Sequence, residues 1–285
     1  MKKLLLSLLI CMGITMISSQ TYAQLDADGA KLKPFVGNTY DYTFTGITPG
    51  LKYQFYFSPD GLGKGSAAAA YDAYLSDATI QTVQADGEAT VSVTWPSNVP
   101  VIVGKEVFLF VKVYQEGSVT TCDNYNAVSI TPIANDFNIA LVDNATDSET
   151  CPEFTDFDPV IIPDSYNAGK TSMQFTITRS GLANAWNLKF KIERINGTGE
   201  YMYSTDGSIP TIVGAANTPV ELNNIAAGTD DVVINLLVNN VPGDTPEYKI
   251  TVTEAKDVTT GVKPLTYPAG KTHKIKIMPV IGTFQ

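Results

Sequence analysis

The stretch Trp186-Asn-Leu-Lys-Phe-Lys-Ile-Glu-Arg194 decides the fold of this chain. Trp186, Leu188, Phe190 and Ile192 alternate with Asn187, Lys189, Lys191 and Glu193. A period of two places one set against a core and the other in water, which is the pattern of a half-buried strand in an antiparallel sheet. Asn196-Gly197 follows at once, a dipeptide suited to a tight hairpin.

The same pattern extends in both directions. Glu200 to Ser204, Thr211 to Val213, Asp231 to Val238, Tyr248 to Val252 and Lys271 to Met278 read as further strands, with Pro242-Gly243-Asp244 punctuating them. Ahead of Trp186, Met173, Phe175 and Ile177 face inward from Ser172 to Thr178. Earlier still, Tyr40, Tyr42 and Phe44 share a face of Thr39 to Thr45, and Tyr53, Phe55 and Phe57 share a face of Leu51 to Phe57, with Tyr56 opposite. Ala78 to Ala85 and Ala89 to Trp95 flank an Asp86-Gly87 turn, and Ala89, Val91, Val93 and Trp95 line one face. Val107 to Val113, a short strand at Val119 and Ala127 to Thr131 complete the first half, where Pro132 ends the pairing. The Ala-rich stretch Ala67 to Leu75, preceded by Ser66, reads either as a short capped helix or as a flexible loop.

These signals give an all-β chain of two tandem β-sandwich domains, immunoglobulin-like or fibronectin-III-like in strand count. The domains occupy residues 24–134 and 135–285, behind a signal peptide at 1–23. Lys2 and Lys3 form the basic start of that peptide, Leu4 to Ile17 its apolar run, and Thr21-Tyr22-Ala23 its cleavage site. No later segment is apolar and long enough to span a bilayer as a helix. The protein is therefore expected outside the cytoplasm, in the periplasm, at the cell surface or beyond it.

Charge narrows the partners. The 285 residues carry a net charge of −10, and losing Lys2 and Lys3 takes it to −12. Between Val113 and Gly169 lie ten acidic residues and no Lys or Arg. Binding to nucleic acid needs a basic footprint, which this chain lacks. An acidic junction between the domains reads instead as a surface for an envelope or surface protein, or for a glycan.

Cys122 and Cys151 remain after processing, and in an exported protein they are the candidate disulfide. Asp143, Asp147, Glu149, Glu153, Asp156 and Asp158 are the candidate metal ligands, and calcium is the cation they would take. Their spacing fits no helix–loop–helix calcium loop, and a solvated acidic loop is the readier explanation, because charge runs commonly stay in water; no other cofactor is implied. The single histidine, His273, shares a strand face with Ile275 and Ile277, which excludes a two-histidine metal site and leaves no serine near it for a triad. No catalytic residue is assigned, and the chain reads as a non-enzyme. Gly61-Leu-Gly-Lys-Gly65 lacks the Ser or Thr of a phosphate loop. Tyr71, Tyr74, Tyr201 and Tyr203, in or beside loops, are candidate ligand-binding rings, since an exposed tyrosine offers a large apolar face and a polar tip.

Three pieces of sequence carry a resemblance. They are Cys122-Asp-Asn-Tyr-Asn-Ala-Val-Ser-Ile-Thr-Pro132, the acidic block around Cys151-Pro-Glu-Phe154, and the ending Ile277-Met-Pro-Val-Ile-Gly-Thr-Phe284. In these the chain resembles the exported immunoglobulin-like proteins of Bacteroidota. That resemblance implies a cell-surface or periplasmic module, in some cases tied to type IX secretion or gliding, and it transfers no catalytic residue. The resulting expectation is a structural or interaction module that binds a protein partner, with a carbohydrate-binding module as the alternative.

Overall fold

The computed structural model describes residues 29–59, 69–97, 103–115, 123–153 and 168–277. The signal segment, the Gly61–Gly65 loop, Ser66, the strand expected at Val119, Cys122, Asp156, Asp158 and the last residues from Met278 lie outside the described residues. The chain divides into two compact units, Met1–Ala134 and Asn135–Gln285. Both are β-sandwiches.

The first unit is built from β1 (Thr39–Phe44), β2 (Lys52–Ser58), β3 (Gln81–Thr82), β4 (Ala89–Thr94), β5 (Val107–Tyr114) and β6 (Asn124–Ile130). One sheet pairs β1 with β4; the other has the order β3-β2-β5-β6. Both give their apolar faces to one core, in which Tyr42 and Phe44 of β1, Val91 and Val93 of β4, Phe55 and Phe57 of β2, and Leu109 and Val111 of β5 are buried. Trp95 closes that core edge-on to Phe57, with ring centroids 5.7 Å apart. Tyr56, on the other face of β2, is also buried, stacked on Phe110 at 5.2 Å. The alanine-rich stretch contributes a single helical turn, Ala69–Asp72, and the strand expected over Ala78 to Ala85 is reduced to Gln81–Thr82. Ala78 is drawn out of the ladder, its carbonyl accepting from the Gln54 side chain.

The second unit contains β7 (Asn138–Asp143), β8 (Glu149–Thr150), β9 (Lys170–Ser180), β10 (Trp186–Asn196), β11 (Tyr201–Ser204), β12 (Ile212–Gly214), β13 (Asn217–Ile225), β14 (Asp231–Asn239), β15 (Glu247–Asp257) and β16 (Lys271–Ile275). They form two five-stranded sheets, β13-β10-β15-β16-β8 and β12-β11-β14-β9-β7. All pairings are antiparallel except the short one between β16 and β8. Trp186, Leu188, Phe190 and Ile192 are buried as their alternation requires, and so are Phe175, Ile177, Ile234 and Leu236 of the other sheet. Trp186 also satisfies its indole N–H, which donates to the Thr229 carbonyl at 2.9 Å, and the Arg179 guanidinium lies over its ring.

A tight corner links the entry to β7 with the turn after β9. Gly181 has φ +91°, and a Cβ there would sit 2.2 Å from the Asp136 carbonyl oxygen. Both the left-handed backbone and the close approach require glycine. Gly181→Ala is expected to destabilise the protein by about 2–3 kcal/mol, read as a lower urea midpoint. An unchanged midpoint would mean that the corner opens without cost.

Candidate functional site: an uncharged sheet edge

The outer strands of a sheet present unpaired N–H and C=O groups, and proteins guard them with charge, proline, shortness or side-chain caps. Among the described residues the second unit has four such edges: β13, β8, β12 and β7. β13 carries Pro219, which has no N–H, together with Glu221. β8 is two residues long and begins with Glu149. β7 is bracketed by Asp136 and Asp143. In the first unit, the edge strand β6 caps itself: Asn124 Oδ1 accepts from the Tyr125 N–H and Asn126 Oδ1 from the Ala127 N–H.

β12 has two of these guards, its three-residue length and Pro210 two residues ahead of it, but it lacks charge. The run Gly207 to Val220 around it contains no charged residue. Ile209 is 80% exposed, Val213 72% and Ile212 50%. Exposed apolar groups gathered along one edge make it a candidate interaction surface. Burying a valine or isoleucine side chain is worth roughly 1.5–3 kcal/mol.

The strand is also held in place. On its inner side it pairs with β11, Ile212 opposite Tyr203 and Gly214 opposite Tyr201. The Tyr201 ring lies against Gly214, so close that a Cβ there would come within 2.1 Å of it. The Tyr201 hydroxyl donates to the Ala215 carbonyl at 2.6 Å and lies 2.9 Å from Thr218 Oγ1. Burial pushes the Tyr201 phenol above its usual pKa, so the hydroxyl stays a donor across the neutral range. At the other end the Ser208 carbonyl accepts from Ser204 Oγ at 2.7 Å and from Asn235 Nδ2 at 2.9 Å, fixing the turn that presents Ile209. Hydrogen bonds from the Ser208 hydroxyl and backbone N–H hold the Asp206 carboxyl below the usual range. Its contribution to the turn is therefore complete above the ordinary aspartate pKa and is lost as pH falls through the lowered one. A strand fixed at both ends loses little further freedom when a partner strand is added.

The tyrosines expected to bind ligand are placed differently. Tyr201 and Tyr203 are 1% and 8% exposed, inside the sandwich on β11 rather than in a loop. They are core residues, a correction that follows from their pairing with β14 and from the edge-to-face contact of Tyr201 with Tyr248 at 5.0 Å. Tyr71 and Tyr74 are half-buried and in contact with each other, at 5.9 Å between centroids, at the margin of the first core.

The described acids are not gathered into a metal site. Among the described residues no group of three or more His, Cys, Asp or Glu side chains converges. Asp143 accepts from His273, Glu149 pairs with Lys274 at 3.6 Å, and Glu153 accepts from the Ser172 N–H. Asp147 stands apart from these in the loop after β7. Cys151 is exposed and bonded to no cysteine among the described residues, and Cys122 lies outside them.

His273 holds an arrangement the sequence did not disclose. It is 1% exposed, its Nδ1 is 2.8 Å from Asp143 Oδ2, and its Nε2 is 3.1 Å from Thr150 Oγ1. A carboxylate only accepts, so Nδ1 carries a proton and donates to Asp143, while Nε2 and the threonine hydroxyl share the second hydrogen bond. The order acid, imidazole, hydroxyl is that of a nucleophile relay. Here all three groups are spent on joining β7 of one sheet to β16 and β8 of the other, with Phe175 edge-on to the imidazole at 6.5 Å. A second polar knot lies at the start of β9. Asn240 Nδ2 donates to the carbonyls of Glu153 and Ala168, and Asn240 Oδ1 accepts from Thr171 Oγ1, which itself accepts from the Glu153 N–H. Residues 153 and 168 are thereby clamped together at the base of the acidic segment.

No protein-family model and no curated protein matches this chain. Solved structures align with it at low TM-score. One described as BspA_C_mut has a TM-score of 0.32 and 8% identity over 87% of this chain and 96% of its own. The C-terminal domain of the Streptococcus pyogenes antigen I/II-family protein AspA has a TM-score of 0.28 and 9% identity, over 85% and 93%. CfaE, the adhesive subunit of the CFA/I fimbria of enterotoxigenic Escherichia coli, has a TM-score of 0.32 and 11% identity, over 85% and 79%. Among the described residues no helix is long and apolar enough to cross a membrane.

Proposed function

We propose that this chain is a non-catalytic, exported interaction module of the bacterial cell envelope or surface, which binds a protein by taking an extended segment alongside β12. The observation that carries this is the exposure of Ile209, Ile212 and Val213 on an uncharged sheet edge fixed at both ends. Strand addition at such an edge draws affinity from main-chain hydrogen bonds and selectivity from side chains on alternate faces. Export is supported by the basic, apolar and small-residue order of Met1 to Ala23.

Affinity capture with the tagged chain from Gln24 to Gln285, from solubilised envelope of the source cells, tests this with Val213→Lys run in parallel. One protein recovered in near-equal amount by the native chain and lost with Val213→Lys is the expected result. Equal recovery by both would place the partner elsewhere. Polysaccharide recovered without protein would favour a glycan-binding module, for which the half-buried pair Tyr71 and Tyr74 is the remaining platform.

A Cys122–Cys151 disulfide belongs to the same proposal, because it would tie the acidic segment to the first domain in an oxidising compartment. Intact mass of the native protein after alkylation, with and without reductant, is expected to show two masked thiols. Two alkylated cysteines without reductant would end it.

A further inference from the structure

We infer that the first unit carries a second docking edge, on β1, and that it takes an extended segment of another protein with a basic residue opposite Asp41. The backbone pairing of β1 exposes the edge. Trp95 N–H donates to the Asn38 carbonyl, and on the far side of β4 Thr94 N–H donates to the Tyr74 carbonyl while the Ser92 carbonyl accepts from the Ser76 N–H. Along an antiparallel ladder, pairs that exchange hydrogen bonds alternate with pairs that do not. Thr39, Asp41 and Thr43 oppose Thr94, Ser92 and Thr90, so they turn their N–H and C=O groups away from β4. β1 pairs only with β4, and among the described residues these outward groups have no partner. The strand is six residues long, carries no proline and is charged only at Asp41. Donors and acceptors spaced two residues apart are satisfied together by another extended backbone. Tyr42 and Phe44 are already buried, so an added strand gains main-chain bonds and cross-strand pairs rather than a place in the core.

Charge selects the occupant. Asp41 is exposed, its carboxylate accepts from Ser92 Oγ at 2.5 Å, and among the described residues no Lys or Arg pairs with it. An added strand sets one residue directly across from Asp41, where a basic side chain is favourable and an acidic one is not. A second copy centred on this edge would set Asp41 against Asp41. The chain's own segment Gln24-Leu-Asp-Ala-Asp28 has acids and no base. The β1 and β12 edges belong to different units, so this inference does not rest on the β12 reading.

Residue-resolved amide exchange of the exported protein, alone and with a synthetic probe, tests this. The probe is a soluble peptide of alternating threonine and valine with a central lysine, and its control has glutamate at that place. In the protein alone, Thr39, Asp41 and Thr43 are expected to exchange faster than Tyr40, Tyr42 and Phe44, whose amides bond β4. The lysine peptide should slow the first three by at least about 10-fold and bind about 5-fold more tightly than the glutamate peptide. Thr43→Pro deletes an outward N–H and no bond to β4, and should weaken the lysine peptide by at least about 5-fold. Asp41→Asn should abolish the preference for lysine over glutamate; unchanged circular dichroism and melting temperature show that the variants fold. Slow exchange at Thr39, Asp41 and Thr43 in the protein alone overturns the inference: if it persists on dilution the chain covers its own edge, and if it is lost a second copy does. A lysine peptide that leaves these amides fast, or that native protein and both variants bind alike, overturns it too. Protection at Ile212 to Gly214 in place of β1 would overturn the β1 edge and leave the β12 reading standing.

Discussion

Trp186→Ala is expected to destabilise the second domain by about 3–5 kcal/mol, the range for emptying a core aromatic site. The indole is fully buried, and its loss would leave the Thr229 carbonyl without its donor. It would also uncover Arg179, a buried guanidinium that lies over the ring and bonds the Asp230 carboxylate and the Asn184 carbonyl. An unpartnered buried polar group adds its own desolvation cost to the cavity. Trp186→Phe keeps most of the volume and removes the N–H, so it should cost about 1–2 kcal/mol. Urea unfolding followed by far-ultraviolet circular dichroism checks both, and equal losses for the two variants would mean that packing around the ring matters little.

His273→Ala is the second large effect, at about 2–4 kcal/mol. It empties a buried ring site and strands Asp143 and Thr150, which have their hydrogen bonds to the imidazole. Because the three groups act together, Asp143→Ala and His273→Ala combined should cost less than the sum of the two alone. Additive losses in that double-mutant cycle would show that the groups do not cooperate. The coupling also separates a structural tie from a simple cavity effect, since a cavity alone would not depend on Asp143.

The alternation from Trp186 to Ile192 could be read directly, because one face meets a core and the other meets water along an uninterrupted strand. The same holds for Ala89 to Trp95, whose inward residues are all buried. β13 could not be read this way. Its Pro219 and paired asparagines look like a loop, and they are tolerated because the strand lies at a sheet edge. Tyr201 and Tyr203 were misplaced for a related reason. A four-residue strand is too short for its alternation to stand out from a turn. His273, Asp143 and Thr150 meet only because β16, β7 and β8 come together in the folded domain, and no local pattern records that.

The candidate site was legible only in part. Thr211 to Val213 reads as a strand, and the absence of charge from Gly207 to Val220 is visible in the sequence. What makes it a site is the edge position of β12, which is fixed by sheet order and therefore by long-range pairing. The acidic residues misled in the opposite sense. Proximity in sequence suggested a common cation, whereas the chain turns between them and Asp143, Glu149 and Glu153 bond to separate groups.

Hydrogen–deuterium exchange across Ile212 to Gly214 tests most directly whether β12 is the binding edge. The exported protein would be compared at low concentration, at high concentration and with any captured envelope protein. An unpaired edge exchanges quickly and an added strand protects it. Protection confined to β12 and its flanks on association, with β6 unchanged, is the predicted result. Association that protects another surface and leaves β12 exchanging as fast as before would contradict the account.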